Sequence, residues 1–404
     1  MMTKPTSRAP LSADLLPATG AWRVGDPVGD RRFVEVTPGR PFSLEGGGVL
    51  RGVTVAYETW GTLAPDASNA VLICHALTGD SHAAGDSEVG GASKGWWHRL
   101  IGPGRAVDTD ELFVVCVNVL GGCQGSTGPS SIDPTTDRPY GSTFPTITIR
   151  DIVRSQKAVA DELGVERWLA VIGGSMGGMQ ALEWAVMYPD RVGGLVAIAT
   201  TAAASAQQIA YSSVQRSAIV LDPNWNGGDY YDAAPGAGPH GGLAVAREMA
   251  HITYRTESEF AERFDRKQFD SLDTGFTAWQ RFQVESYLDR QGEKLVRRFD
   301  ANSYLAIARA MDLHDIGRGR AGIDRALARI TAPVLTMAID SDALYPPYQQ
   351  EQLRDLIAAN GGTVTHGVIH CVEGHDGFLT CPDQVGAAVA PFLAQLRNHP
   401  RTEI

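Results

Sequence analysis

Gly173-Gly174-Ser175-Met176-Gly177 fits the pattern G-x-S-x-G. An apolar run, Trp168–Ile172, precedes it, and a helical pattern, Gly177–Tyr188, follows. This is the setting of a nucleophile elbow, where a serine sits on a strained turn between strand and helix and its neighbours need minimal side chains. The start of the helix adds unpaired N–H groups and the positive end of a dipole, both favouring negative charge near Ser175. A phosphate-binding turn would instead require G-x-G-x-x-G or G-K-[ST], and neither occurs in this stretch. The chemistry expected is acyl transfer through a serine nucleophile.

Such a serine needs a base and an acid, and on this scaffold they follow it in the order Asp or Glu, then His. Of the ten histidines, five lie late enough in the chain to qualify. His314 falls in a helical region, His399 near the C-terminus, and His366 and His370 within the last strand pattern. His375 lies in the loop just after that strand, Cys371-Val-Glu-Gly-His-Asp-Gly-Phe378, where an imidazole can reach over the sheet edge. For the acid, Asp340 and Asp342 follow the apolar run Pro333–Ile339, and position prefers neither. An oxyanion hole takes two backbone donors. One is the Met176 N–H; the other belongs to His75-Ala76-Leu77-Thr78-Gly79, directly after another apolar run. His75 precedes the serine in the chain and reads as a loop-shaping residue.

The elements that must position these residues alternate along the chain. Short apolar runs at Val71–His75, Leu112–Val119, Trp168–Ile172, Leu195–Ala199 and Pro333–Ile339 suit strands buried on both faces. Val49–Trp60 reads as a half-exposed strand, and the more polar Thr363–His370 as an edge strand. Helical patterns at Ile149–Leu163, Gly177–Tyr188, Tyr348–Ala359 and Gln384–Leu396 lie between or after them. Alternation of this kind predicts right-handed crossovers and a mostly parallel central sheet flanked by helices.

Between about 201 and 330 the strand signal stops. Helical stretches at Ser205–Val220, Gly242–Tyr254, Thr277–Asp289 and Asn302–Leu313 predict a lid inserted between two strands, with a long loop at Asp222–Gly242. The division expected is therefore a loosely held arm over 1–30, a catalytic domain over 31–200 and 331–404, and the lid over 201–330.

Composition narrows the function. A net charge of −11 argues against general nucleic-acid binding, which needs a basic surface. No run approaches the roughly 18 apolar residues of a membrane span. The five cysteines have no C-x-x-C spacing and read as reduced thiols, so neither a disulfide framework nor a metal site is expected. A cytoplasmic setting is expected.

Taken together, these segments resemble the homoserine O-acetyltransferases, an α/β-hydrolase-fold family. The resemblance rests on residues 75–79, 121–131 (Gly-Gly-Cys-Gln-Gly-Ser-Thr-Gly-Pro-Ser-Ser), 173–180, 222–225, 246–254, 340–346 and 374–378. It implies Ser175 as nucleophile, Asp342 as acid and His375 as base, with Leu77 and Met176 N–H groups as oxyanion donors. It also implies that Arg247 binds the carboxylate of L-homoserine and Asp376 its ammonium, a division of charge that a zwitterion requires. Acetyl-CoA would be a co-substrate, with no cofactor or metal, and the lid would form a homodimer. Nearby alternatives are a succinyl donor, serine as acceptor, or water as acceptor in a carboxylester hydrolase.

Overall fold

A computed structural model of the chain describes residues 16–85, 94–268 and 281–398. Eight strands form one sheet: β1 (Arg32–Glu35), β2 (Thr54–Trp60), β3 (Ala70–Cys74), β4 (Phe113–Val117), β5 (Ala170–Gly174), β6 (Leu195–Ile198), β7 (Val334–Ile339) and β8 (Val364–Ile369). Their spatial order is β1-β2-β4-β3-β5-β6-β7-β8. β2 pairs antiparallel with both neighbours, and every pairing from β4 to β8 is parallel. β3, β4, β5, β6 and β7 are buried at every residue, as expected of strands covered on both faces. Register aligns the centre: Ile172 lies level with Ile73 on one side and Val196 on the other.

The expected strand over Val49–Trp60 is interrupted. Gly52 takes φ 61°, a left-handed conformation that turns the chain. Val49–Leu50 therefore pairs in a hairpin with Phe42–Ser43, and the sheet strand begins at Thr54. β8 is the edge strand its polarity predicted.

Two helices flank the centre of the sheet, α1 (Ile149–Glu162) and α2 (Met176–Met187). Thr148 and Asp151 form a reciprocal capping box that starts α1. Among the described residues, six α-helices occupy the interval between β6 and β7: α3 (Ala206–Val220), α4 (His240–Tyr254), α5 (Glu257–Arg263), α6 (Gln283–Val296), α7 (Ala301–Asp312) and the short α8 (Ile323–Leu327). The helix expected over Thr277–Asp289 is observed from Gln283 onward; the residues before 281 lie outside the described set. After β7 come α9 (Pro347–Ala359), α10 (Gly377–Thr380) and α11 (Pro382–Asn398).

Of the arm expected to be loose over 1–30, residues 16–21 are docked, whereas 23–30 are exposed. Leu16, Ala18, Thr19 and Ala21 are buried. The cause is a buried carboxylate, Asp300, which accepts from Thr19 Oγ1 at 2.8 Å, Tyr230 OH at 2.7 Å, Tyr231 OH at 3.0 Å and Ser303 N at 2.8 Å. Four donors offset the cost of burying that charge and fasten the arm, the 222–242 loop and α7 to one point. Residues 1–15 lie outside the described set.

His314, at the junction of α7 and the sheet, points its Nε2 at the Thr201 carbonyl, 3.1 Å away. Burial pushes this imidazole down from 6.5 to about 4. Unfolding therefore takes up a proton between those pH values, so the stabilising contribution is present above 6.5 and lost as pH falls towards 4. His314→Gln keeps a donor and removes the titration. Its unfolding free energy, measured by denaturant titration, should fall less steeply with acidification, by about 1.4 kcal/mol per pH unit. Equal slopes for the two proteins in that window would refute this assignment.

Candidate active site

Ser175 connects β5 to α2 with φ 57° and ψ −125°, a conformation that side chains rarely adopt. The turn closes so tightly that a Cβ on Gly173 would lie 2.1 Å from the Gly177 carbonyl oxygen, and one on Gly177 would lie 2.0 Å from that of Cys74. Glycine at both positions is a steric requirement of the elbow. Thr200 Oγ1 holds the Ser175 carbonyl at 2.8 Å, and the Ser175 N–H donates to Ile198 at 2.9 Å. The strained residue is thereby tied to β6.

Three loop ends converge there. His375 Nε2 lies 2.8 Å from Ser175 Oγ, and His375 Nδ1 lies 2.7 Å from Asp342 Oδ2. The other oxygen of Asp342 accepts from the Leu344 and Tyr345 N–H groups, each at 2.8 Å. A carboxylate fixed this way can only accept, so the imidazole carries its proton on Nδ1 and turns a lone pair on Nε2 towards the hydroxyl. Of the two aspartates left open by position, Asp342 is the one in contact with His375, while Asp340 is engaged by His370 Nδ1 at 2.9 Å and by Cys371 N at 3.2 Å. Tyr345 stacks on the His375 ring at 4.8 Å, and Phe378 meets it edge-on at 5.7 Å.

Leu77 follows β3 and lines the same cavity, while Met176 is the first residue of α2, whose N–H has no intrahelical acceptor. The loop that carries Leu77 is braced from below. His75 donates from Nδ1 to the Ala76 carbonyl at 2.8 Å and accepts at Nε2 from Val119 N at 3.1 Å. Burial lowers its basicity, which keeps it neutral and consistent with a loop-shaping role. Gln180 Nε2 donates to the His75 carbonyl at 3.0 Å, and Gln156 and Trp184 extend this buried chain of hydrogen bonds into α1 and α2.

The cavity over Ser175 has a volume of about 140 Å³ and is walled by Leu77, Arg247, Tyr254, His375 and Asp376 among others. Arg247 projects from α4, donates to Thr78 Oγ1 at 3.1 Å and lies over the Tyr254 ring at 5.7 Å. His251, one turn further along α4, is pushed down to about 2 by burial and by Arg247, and so stays neutral. Asp376 lies beside the base and is held by Arg255 at 2.9 Å. A second carboxylate in the wall, Asp312, is paired with Arg216. The seven residues expected from sequence thus fall at one place: Ser175, His375 and Asp342 in a hydrogen-bonded series, Leu77 and Met176 on the elements that meet beside Ser175, and Arg247 and Asp376 in the cavity wall.

A family model described as the alpha/beta hydrolase fold matches residues 69–379. The homoserine O-acetyltransferase of Thermobifida fusca (strain YX) is 56% identical over 380 residues, covering 94% of this chain and 98% of that protein. That of Leifsonia xyli subsp. xyli is 52% identical, covering 94% and 93%. The chain belongs to the homoserine O-acetyltransferase family of α/β hydrolases. A crystal structure of the family's enzyme from Bacillus anthracis superposes with a TM-score of 0.82 at 30% identity, covering 90% of this chain and 97% of that one. A crystal structure of an esterase also superposes at 0.82, with 32% identity and coverage of 90% and 100%.

Sequence reasoning missed Arg298. Its Nη2 donates to the Thr78 carbonyl at 2.8 Å and its Nη1 faces Asp80 at 3.7 Å, so a lid residue pins the loop that carries Leu77. Gln124, in the 121–131 segment, donates to the Arg298 carbonyl at 2.6 Å. That segment, so useful for the family resemblance, is a brace beneath the site rather than part of the cavity wall. Arg255 was missed as well. Neither arginine lies in a motif with its own chemistry, and only their spatial partners give them a role.

Asp342→Asn should lower the rate of Ser175 acylation by p-nitrophenyl acetate about 10³- to 10⁴-fold, because an amide no longer selects the productive imidazole tautomer. The circular dichroism spectrum should be unchanged. A loss below tenfold would remove Asp342 from the role of orienting acid.

Proposed function

We propose that the protein transfers an acetyl group from acetyl-CoA to the hydroxyl of L-homoserine through an acyl-Ser175 intermediate. The observation that carries this reading is the pairing of a complete triad with a small cavity whose wall holds Arg247 and Asp376. Membership of the homoserine O-acetyltransferase family supports both the acceptor and the acyl group.

In the first half-reaction His375 Nε2 takes the proton of Ser175 Oγ as it attacks the thioester carbonyl. The oxyanion forms against the N–H groups of Leu77 and Met176, and Asp342 stabilises the imidazolium. The C–S bond breaks, His375 returns the proton to sulfur, and coenzyme A leaves. In the second half-reaction homoserine enters with its carboxylate towards Arg247 and its ammonium towards Asp376. His375 deprotonates the hydroxyl, oxygen attacks the acyl-serine, and the C–O bond to Ser175 breaks with the proton returned to Oγ. The scheme uses no cofactor and no metal.

Hydrolysis is the second reading, favoured by the esterase of the same architecture. The lid supports transfer, since a walled cavity disfavours water as a competing acceptor. The lid also supports a homodimer: Val214, Val220 and Leu221 at α3, and Val245 and Ile252 on α4, are exposed apolar side chains. No helix among the described residues is long and apolar enough to cross a membrane. Five free thiols and the acetyl-CoA requirement support a cytoplasmic setting.

Acetyl-CoA and succinyl-CoA should be tested against homoserine, serine and no acceptor, with products read by mass spectrometry. Acetyl-CoA with homoserine should give O-acetylhomoserine, and acetyl-CoA alone should label Ser175. Thiol release that is equally fast without homoserine would make the protein a hydrolase, and a succinylated product would reassign the donor. Arg247→Met should raise the KM for homoserine about 10- to 100-fold, the value of a charge-assisted hydrogen bond, while leaving the acetylation burst intact. An unchanged KM would move the carboxylate site elsewhere.

A further inference from the structure

Spacing along the chain shows no metal motif, yet the fold brings three ligand-bearing side chains together. Cys371 follows β8, Glu373 lies in the turn before His375, and Cys381 sits at the junction of α10 and α11. One ligand atom from each lies within 4.8 Å of the other two. Cys381 Sγ is 3.7 Å from Glu373 Oε2. In a tetrahedral zinc site, metal–sulfur distances near 2.3 Å and metal–oxygen distances near 2.1 Å set edges of about 3.6 Å for S···O and about 3.8 Å for S···S. The observed separation matches the first edge, and the bound on the others leaves a small contraction to reach the second.

We propose that Cys371, Glu373 and Cys381 form a binding site for a thiophilic divalent cation such as Zn²⁺. The ligands stand on backbone that is already fixed. Cys371 N donates to Asp340 Oδ1 at 3.2 Å, Gly374 N to Ser341 Oγ at 3.1 Å, and Cys381 N to the Gly377 carbonyl at 2.9 Å. Gln384 clips the strand end by donating to the His370 carbonyl and accepting from its N–H, both at 2.9 Å. All three ligands are half-buried, so an ion can enter from solvent and water can complete the fourth position.

Burial pushes the Cys371 thiol up to about 12, and burial raises Cys381 as well. Without an ion both stay protonated, and the Cys381 S–H donates to the Glu373 carboxylate. Binding forms two metal–sulfur bonds and one metal–oxygen bond, and the two thiol protons leave to solvent. A disulfide would use two of the three groups and would leave Glu373 without its donor. The convergence of all three favours the ion. The 371–381 segment carries His375 and Asp376, so the ion would close a ring across both ends of the loop that presents the base. This site stands apart from the choice of acyl donor and acceptor.

The reduced full-length protein, stripped with a chelator, should be titrated with Co²⁺ and then Zn²⁺. One equivalent of Co²⁺ should produce a thiolate-to-cobalt charge-transfer band and tetrahedral visible absorption, both removed by Zn²⁺. Zn²⁺ should also raise the melting temperature. Cys371→Ser and Cys381→Ser should each lose the band, and Glu373→Gln should weaken cobalt binding; metal-free melting curves report that each variant folds. A band that persists in the Cys371→Ser, Cys381→Ser double variant would overturn the proposal. So would the absence of a band in the folded wild type, including a result in which air oxidation links the two thiols but the reduced form takes up no metal.

Discussion

The conformation of one residue organises this molecule. Ser175 at positive φ is stable only if β5 and α2 meet without side chains between them, which explains Gly173 and Gly177. The same closeness brings Gly177 against the Cys74 carbonyl, so the end of β3 sits beneath the start of α2. The loop that carries Leu77 and the first turn of α2 are thus brought together beside Ser175 as a geometric consequence of the turn. Strain at the serine is held by hydrogen bonds to Ile198 and Thr200, which belong to β6 and its exit. The central strands therefore work as a clamp for a single backbone torsion.

What remains after the elbow is set is orientation, and buried polar groups supply it. Asp342 uses both oxygens, one on backbone donors and one on His375, so the imidazole cannot rotate without losing its hydrogen bonds to Ser175 and to a carboxylate that is itself fixed. Below the Leu77 loop, His75, Gln180, Gln156 and Trp184 form a hydrogen-bonded chain in which the donors are matched to acceptors. Above it, Arg298 reaches down from the lid. Fully matched networks of this type fix a unique arrangement, since slipping any member leaves a polar group buried and unpaired. The helical insertion is for this reason tied to the loop beside Ser175 as well as lining the cavity.

Legibility in the sequence followed the range of the physical signal. The elbow was readable because its glycines and its flanking strand and helix are contiguous. The sheet was readable because strands buried on both faces leave unbroken apolar runs, as at Val71–Cys74 and Val334–Ile339. His375 could be chosen by its place after the last strand, whereas Asp342 could not be separated from Asp340 by position; the family resemblance and then the His370 contact separated them. Gly52 hid a turn inside an apparent strand because alternation continued on both sides of it. The docking of Thr19 was invisible, since its partner Asp300 lies 281 positions away. The same holds for Arg298, and for the Cys371–Glu373–Cys381 cluster, whose members converge only when α10 folds back beside β8.

An esterase and a homoserine O-acetyltransferase superpose on this chain equally well, so the scaffold and the triad do not by themselves choose between water and an amino acid. On the transferase reading, the selection must come from groups that act after the acyl-serine has formed. A neutral ester and a water molecule make no use of fixed charges, whereas a zwitterionic acceptor can pair with both. Arg247 is held by Thr78 and Tyr254, and Asp376 by Arg255, so neither charge has to be ordered when the acceptor arrives. Preorganised charges of this kind raise the effective concentration of one nucleophile at the acyl carbon without changing the chemistry of the triad. Arg247 and Asp376 are thus better placed than the triad to decide which acceptor wins.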